Sequence, residues 1–185
     1  SSQSSIVSNN VKDLAWDPNR KMLWIATDNG LSRYIPSEDK FFNIQTTPYA
    51  DSIVENDISE LLVATRSGRL WYTTETEPGI NCLSVEFDSE SKSPPPANHF
   101  EHDPIDEKSI ADNNITDFIE DSAGHIWIGT GQNGISFLSF VKSKFTHHRY
   151  DQENEWGLKS DKIYSITTMT DGMMWAATGF GLEML

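Results

Sequence analysis

Apolar positions along this chain fall in short, roughly alternating runs separated by turn residues, the pattern of β-strands; no stretch has a convincing 3.6-residue helical period. The runs repeat as a group. Four segments align on a tryptophan: LWIATDNGLSRY at Trp24, LWYTTETEPGINCL at Trp71, IWIGTGQNGISFL at Trp127 and MWAATGFGLEML at Trp175. Their spacings are 47, 56 and 48 residues. A second aligned element lies upstream, with Val11, Ile58, Ile115 and Ile163 preceding their tryptophans by 13, 13, 12 and 12 residues. A period of about 50 residues is that of a four-stranded propeller blade.

Within each unit a short apolar strand is followed by a turn: Asp17-Pro18-Asn19, Arg66-Ser67-Gly68, Ser122-Ala123-Gly124 or Thr170-Asp171-Gly172. The tryptophan strand comes next and ends at Gly30, Gly79, Gly134 or Gly181. Asn29-Gly30 and Asn133-Gly134 are dipeptides suited to two-residue hairpin loops. Third strands are expected at 31–35 and 135–141, and fourth strands at 40–45 and 144–150. Pro94, Pro95 and Pro96 cannot continue a ladder, so the second unit carries a loop before its fourth strand. The expected fold is all-β, a propeller fragment of about four blades of four antiparallel strands with the last blade incomplete. The repeats cover 9–45, 56–103, 113–150 and 160–185 of a single domain, 1–185.

Composition narrows the function classes. With 28 Asp+Glu against 14 Lys+Arg, the formal net charge of -14 argues against nucleic acid and against adsorption to an anionic membrane. No run approaches the ~20 apolar residues of a membrane helix. Cys82 is the only cysteine, which excludes an internal disulfide and any multi-cysteine zinc site, and predicts a buried, inert thiol.

The combination of an Asn-rich approach, an Ile-x-x-Ile strand, a D-x-x-G turn, the wording lWigT..GL and an aromatic fourth strand resembles the two-component regulator propeller repeat. The third unit, DPIDEKSIADNNITDFIEDSAGHIWIGTGQNGISFLSF, is the best match, and DQENEWGLKSDKIYSI before the fourth is nearly as good. The resemblance implies the extracytoplasmic, periplasmic sensor portion of a bacterial inner-membrane receptor. Its output domain would be a histidine kinase or a diguanylate cyclase, and its ligand a small molecule or an oligosaccharide. The second unit departs from the pattern, with RSGRLWYTT and the proline insertion. A seven-bladed ring would need roughly 340 residues, so the chain is expected to be part of a longer receptor. Open blade edges predict self-association.

Trp24, Trp71, Trp127 and Trp175 occupy one repeated position and are expected to pack between blades. Among the histidines, His99 with His102, and His147 with His148, point to opposite faces of a strand. No metal site is expected, and the default is solvated or edge-strand side chains. No carboxylate pair, phosphate loop or nucleophile motif marks catalysis, and no cofactor is expected. The turns between second and third strands and the linkers between blades should share one face, at the channel mouth. Candidate ligand residues there are Asp28, Asn29, Glu77, Gln132, Asn133 and Phe180 from turns, with Tyr49 and Trp156 from linkers. Aromatic planes beside amides and carboxylates suit a sugar ring. Two alternatives stand beside the sensor reading: a protein-interaction scaffold without small ligand, and a carbohydrate-active propeller enzyme.

Overall fold

A computed structural model of the chain describes residues 2–3, 5–45, 57–85, 97–139, 144–169 and 172–185. No helix occurs among the described residues. They form two compact units, Ser1–His99 and Phe100–Leu185.

In the first unit, one sheet comprises β1 (Ser2–Gln3), β2 (Val11–Asp17), β3 (Met22–Thr27), β4 (Gly30–Ile35) and β5 (Lys40–Ile44), in the order β1-β5-β4-β3-β2. The other comprises β6 (Ile58–Ala64), β7 (Arg69–Thr74), β8 (Ile80–Ser84) and β9 (Asn98–Phe100), in sequence order. In the second unit, β10 (Ile115–Glu120), β11 (Ile126–Thr130), β12 (Ile135–Ser139) and β13 (Lys144–His148) make a four-stranded sheet. Beside it β14 (Ile163–Thr168), β15 (Met174–Thr178) and β16 (Leu182–Met184) make a three-stranded one. The short β1 is an addition that the repeat pattern did not anticipate. It pairs antiparallel with β5, whose outer edge offers backbone groups to any extended segment. Expected strand positions 140 and 141, the proline run and the Thr170-Asp171 turn residues lie outside the described residues.

The sheets of each unit pack face to face. In the first, Trp24, Leu31 and Ile44 from one sheet meet Ile58, Leu70, Tyr72 and Leu83 from the other. In the second, Ile135 and half-buried Trp127 join Ile163, Ile166, Met174 and Ala176. Trp24 and Trp71 are fully buried, whereas Trp127 and Trp175 keep partial exposure.

Every first strand shifts register near its start, between Val11 and Asp13, Ile58 and Leu61, Ile115 and Asp117, and Ile163 and Ser165. Such a bulge takes an amide out of the ladder. For β6 and β14 the preceding blade supplies an acceptor: Asp13 Oδ2 receives Leu61 N at 2.8 Å, and Asp117 Oδ2 receives Ile166 N at 2.8 Å and the Ser165 hydroxyl at 2.7 Å.

The first-turn position three residues before the tryptophan is Gly68, Gly124 or Gly172 in three units, with φ of 63°, 89° and 88°. In the first unit Lys21 occupies it at φ 52°, a left-handed conformation that costs a side-chain-bearing residue about 1 kcal/mol.

Candidate functional site

The threonine that closes each tryptophan strand builds the turn after it. Thr27 and Thr130 hydroxyls donate to the carbonyls of Gly30 and Gly134, Thr178 donates instead to Glu183 Oε2, and the three accept the amides of Asn29, Asn133 and Phe180. Thr74 makes the same pair of bonds with Glu77. This is a side-chain turn of the Ser/Thr type, and it explains why threonine ends the repeated wording.

These turns meet the last residues of the linkers. Asp28 N donates to Asn10 O, Glu75 N to Asp57 O, Gly131 N to Asn114 O and Gly179 N to Lys162 O. Within every sheet, therefore, turn and linker share one end, as the repeat pattern predicted. Lys12 bridges Asp57 at 3.8 Å and Glu75 at 3.5 Å on this end of the first unit, in contacts exposed enough to contribute little to stability.

A third set of bonds was not foreseen. Two residues after the turn glycine, each third strand carries a buried or half-buried polar residue: Ser32, Asn81, Ser136 and Glu183. Three of these grip the segment leading into their own blade, four residues before its first strand. Ser32 Oγ accepts Val7 N at 2.9 Å, Ser136 Oγ accepts Ala111 N at 2.9 Å, and Glu183 Oε1 accepts Lys159 N at 2.6 Å. Asn81 instead meets His99 Nδ1 through its Oδ1 at 2.8 Å.

The candidate ligand residues divide under this geometry. Asp28 is tied to Asn10 by a 3.0 Å bond, and hydrogen bonds from Ser8 and Asn10 hold its carboxyl below the usual range. Asn133 Nδ2 donates to Asp112 Oδ2 at 3.0 Å. Both serve the turn–linker junction. Asn29, Glu77 and Gln132 are exposed at the turns; Asn29 O accepts the Gln45 side-chain amide. Tyr49 lies outside the described residues. Trp156 and Phe180, 89% and 74% exposed, are brought together. They line one cleft of about 260 Å³ with Glu155, Lys159, Leu182 and Glu183. Both Glu183 oxygens are committed, Oε2 accepting from Thr178, while Lys159 Nζ donates to Asn154 O.

His99, His147 and His148 lie on the outer strands β9 and β13, in keeping with the expectation of solvated or edge-strand side chains, and several histidines also have a partner. His99 bonds Asn81, His102 Nδ1 donates to Ile110 O, His125 meets Asp121, and His147 lies between Ser136 and Glu107 O. The fourth-strand backbone places His147 opposite the buried Ser136, where a ring nitrogen completes a network. No group of His, Cys, Asp and Glu suited to a metal occurs among the described residues. Cys82 is fully buried, as expected. Asp121 is a turn builder: burial would raise its pKa, but bonds from the Trp127 indole and from His125 and Ala123 outweigh that and hold it low.

Antiparallel blades of three or four consecutive strands, one of them extended by β1, packed face to face in each unit with bulged first strands, define an all-β propeller fragment. Residues 109–132, spanning the end of one lead-in, β10 and β11, match the family described as Two component regulator propeller. That segment thus carries one copy of the family's repeat. Its fold is shared with several solved structures. The extracellular domain of a B. thetaiotaomicron protein assigned as a hybrid two component system is 23% identical over 97% of this chain and 24% of that one, with a TM-score of 0.72. PorZ, a surface component of the type-IX secretion system of Porphyromonas gingivalis, is 18% identical over 95% of this chain and 25% of its own, at 0.70. Virginiamycin B lyase from Staphylococcus aureus is 14% identical over 95% and 55%, at 0.58. No curated protein matches. The chain spans about a quarter of the length of the first two structures. An extracellular domain of a two component system, a secretion component and a lyase on one architecture limit what these likenesses carry to the fold.

Proposed function

We propose that the chain is a non-enzymatic sensor segment from the periplasmic portion of a bacterial inner-membrane signalling receptor, and that it recognises an oligosaccharide or similar polar-rimmed small molecule. The family repeat at 109–132 supports the receptor class, as does the likeness to the extracellular domain of a protein assigned as a hybrid two component system. The observation that carries the ligand reading is the cleft in which Trp156 and Phe180 stand exposed beside Glu155 and Lys159. An aromatic face removes the apolar side of a pyranose from water, and charged groups at the rim bond its hydroxyls. Signalling then requires that the ligand favour one receptor arrangement over another, passed to a histidine kinase or diguanylate cyclase output.

The test is a panel of oligosaccharides titrated against the chain, read by calorimetry and by tryptophan fluorescence. A saturable change that Trp156→Ala or Phe180→Ala weakens at least tenfold, while Glu77→Ala leaves it intact, supports the reading. Binding indifferent to both aromatic substitutions moves the site elsewhere. Absence of binding across the panel, with folding confirmed, removes the carbohydrate assignment.

A further inference from the structure

We infer that the lead-in segment Glu107–Ala111 is a proton-sensitive latch, closed on its blade when His147 is neutral and loosened when His147 is charged. The matching segment Ser5–Val7 of the other unit is closed by Asn43 and has no such response.

One proton decides how this segment is held. Ser136 is fully buried, and its Oγ accepts the amide of Ala111 at 2.9 Å. The hydroxyl hydrogen then points to its other partner, His147 Nδ1 at 3.3 Å. Glu107 O can only accept, so the ring hydrogen sits on Nε2 and is donated to it at 3.2 Å, which leaves Nδ1 of the neutral ring bare to accept the Ser136 hydrogen. In the first unit, Ser32 Oγ accepts Val7 N at 2.9 Å and donates to Asn43 Oδ1 at 2.7 Å, while Asn43 Nδ2 donates to Ser5 O at 3.3 Å. Ser32 pairs with Asn43, and Ser136 with His147, at the same ladder positions. The neutral Nε2–H imidazole thus reproduces the amide: an acceptor toward the serine, a donor toward the lead-in.

Only one of the two can change. Protonation turns Nδ1 into a donor aimed at an oxygen that already accepts Ala111, and leaves the buried Ser136 hydrogen without its acceptor. The surroundings oppose the charge. Burial lowers the proton affinity of His147 first, Glu107 O pulls the other way, and Arg149, His102 and His148 lower it further. These are the groups that β13, the segment following it and the segment after β9 direct at the ring; the lead-in's own charged residues are Glu107 and Lys108. His102 keeps its bond to Ile110 O in either charge state, because Nδ1–H donates in both. With the folded pKa below the ordinary value of about 6.5, the latch is fully closed above that value. It weakens as pH falls through it toward the folded pKa. Asp112, next along the chain, accepts from Asn133, so loosening reaches the turn. The latch does not depend on the ligand reading.

Amide hydrogen exchange of the chain at pH 7.5 and 5.5, corrected for intrinsic rates, tests the inference. Protection of Ala111 is expected to fall by up to about tenfold, the ratio of charged to neutral imidazole at pH 5.5 in an opened segment whose histidine titrates at the ordinary 6.5. Val7 protection is expected to hold. His147→Asn should keep Ala111 protected at both pH values, and Asn43→His should transfer the response to Val7. Imidazole nitrogen shifts at pH 7.5 should show Nδ1 bare. Equal responses at Ala111 and Val7, a pH response that survives His147→Asn, or a protonated Nδ1 at pH 7.5 would overturn it. If His147→Asn does not fold, the Asn43→His variant and the nitrogen shifts decide.

Discussion

Ser5–Val7 and Glu107–Ala111 are laid against their blades by the same three bonds, yet one set ends on an amide and the other on an imidazole. The shared requirement is the direction of hydrogen bonding, an acceptor near the serine and a donor one atom further out. Glu183 shows a third solution, in which a longer carboxylate takes the lead-in amide and the turn threonine together. A repeat can therefore preserve its bonds while its residues differ. The choice of residue decides whether the bonds answer to pH.

The largest effects are expected where, within each unit, one blade is tied to the next. Asp117 receives an amide and a hydroxyl from the next blade, Asp13 a single amide. With charge-assisted bonds at ~1.5 kcal/mol or more apiece, Asp117→Ala should cost about 3 kcal/mol and Asp13→Ala about 2 kcal/mol in urea unfolding. Equal losses would mean that the Ser165 bond contributes nothing.

Next come the serines at the centre of each latch. Ser136→Ala and Ser32→Ala each strand a backbone N–H, at a cost of about 2 kcal/mol. Ser136→Ala should also remove the difference in pH response between the units, and calorimetry at pH 7.5 and 5.5 reads both consequences.

The strands, turns and core of both units were legible in the sequence, because apolar alternation and positive-φ turns demand particular residue types. The turn–linker face was legible for the same reason, through Asn29-Gly30 and Asn133-Gly134. The latches were not. Val7, Ala111 and Lys159 contribute only a main-chain N–H, which any residue but proline supplies, so no side-chain pattern marks them. The acceptors Ser32, Asn81, Ser136 and Glu183 do recur at one offset, a polar residue inside an apolar strand, and that was the available signal. Of the candidate site, Trp156 and Phe180 came together because a linker and a turn meet at the same end of a sheet. Asp28 and Asn133 had local partners that spacing alone does not reveal.

Smaller effects separate the first turns. Asp121 is held low by the Trp127 indole among other donors, so its contribution is present above the ordinary carboxylate pKa and lost as pH falls through the lower folded one. Trp127→Phe should raise the Asp121 pKa in a carboxyl NMR titration and cost about 1 kcal/mol from the lost bond, packing aside. An unmoved titration would show that the amides of Ala123 and His125 suffice. Smallest of all, Lys21→Gly should stabilise the first unit by at most about 1 kcal/mol, relieved strain being partly offset by a freer unfolded chain. A lower melting temperature would show that the lysine side chain contributes more than its backbone costs.

The third-strand grip has a bearing on how such arrays can be recombined. A blade recognises the stretch that precedes it, roughly two dozen residues before the gripping side chain. A cassette cut at the start of a first strand would therefore leave its own clasp behind on the donor. Junctions placed after a fourth strand and upstream of the lead-in, such as between β13 and Lys159, carry blade and clasp together. That is where grafting or circular permutation should preserve the fold.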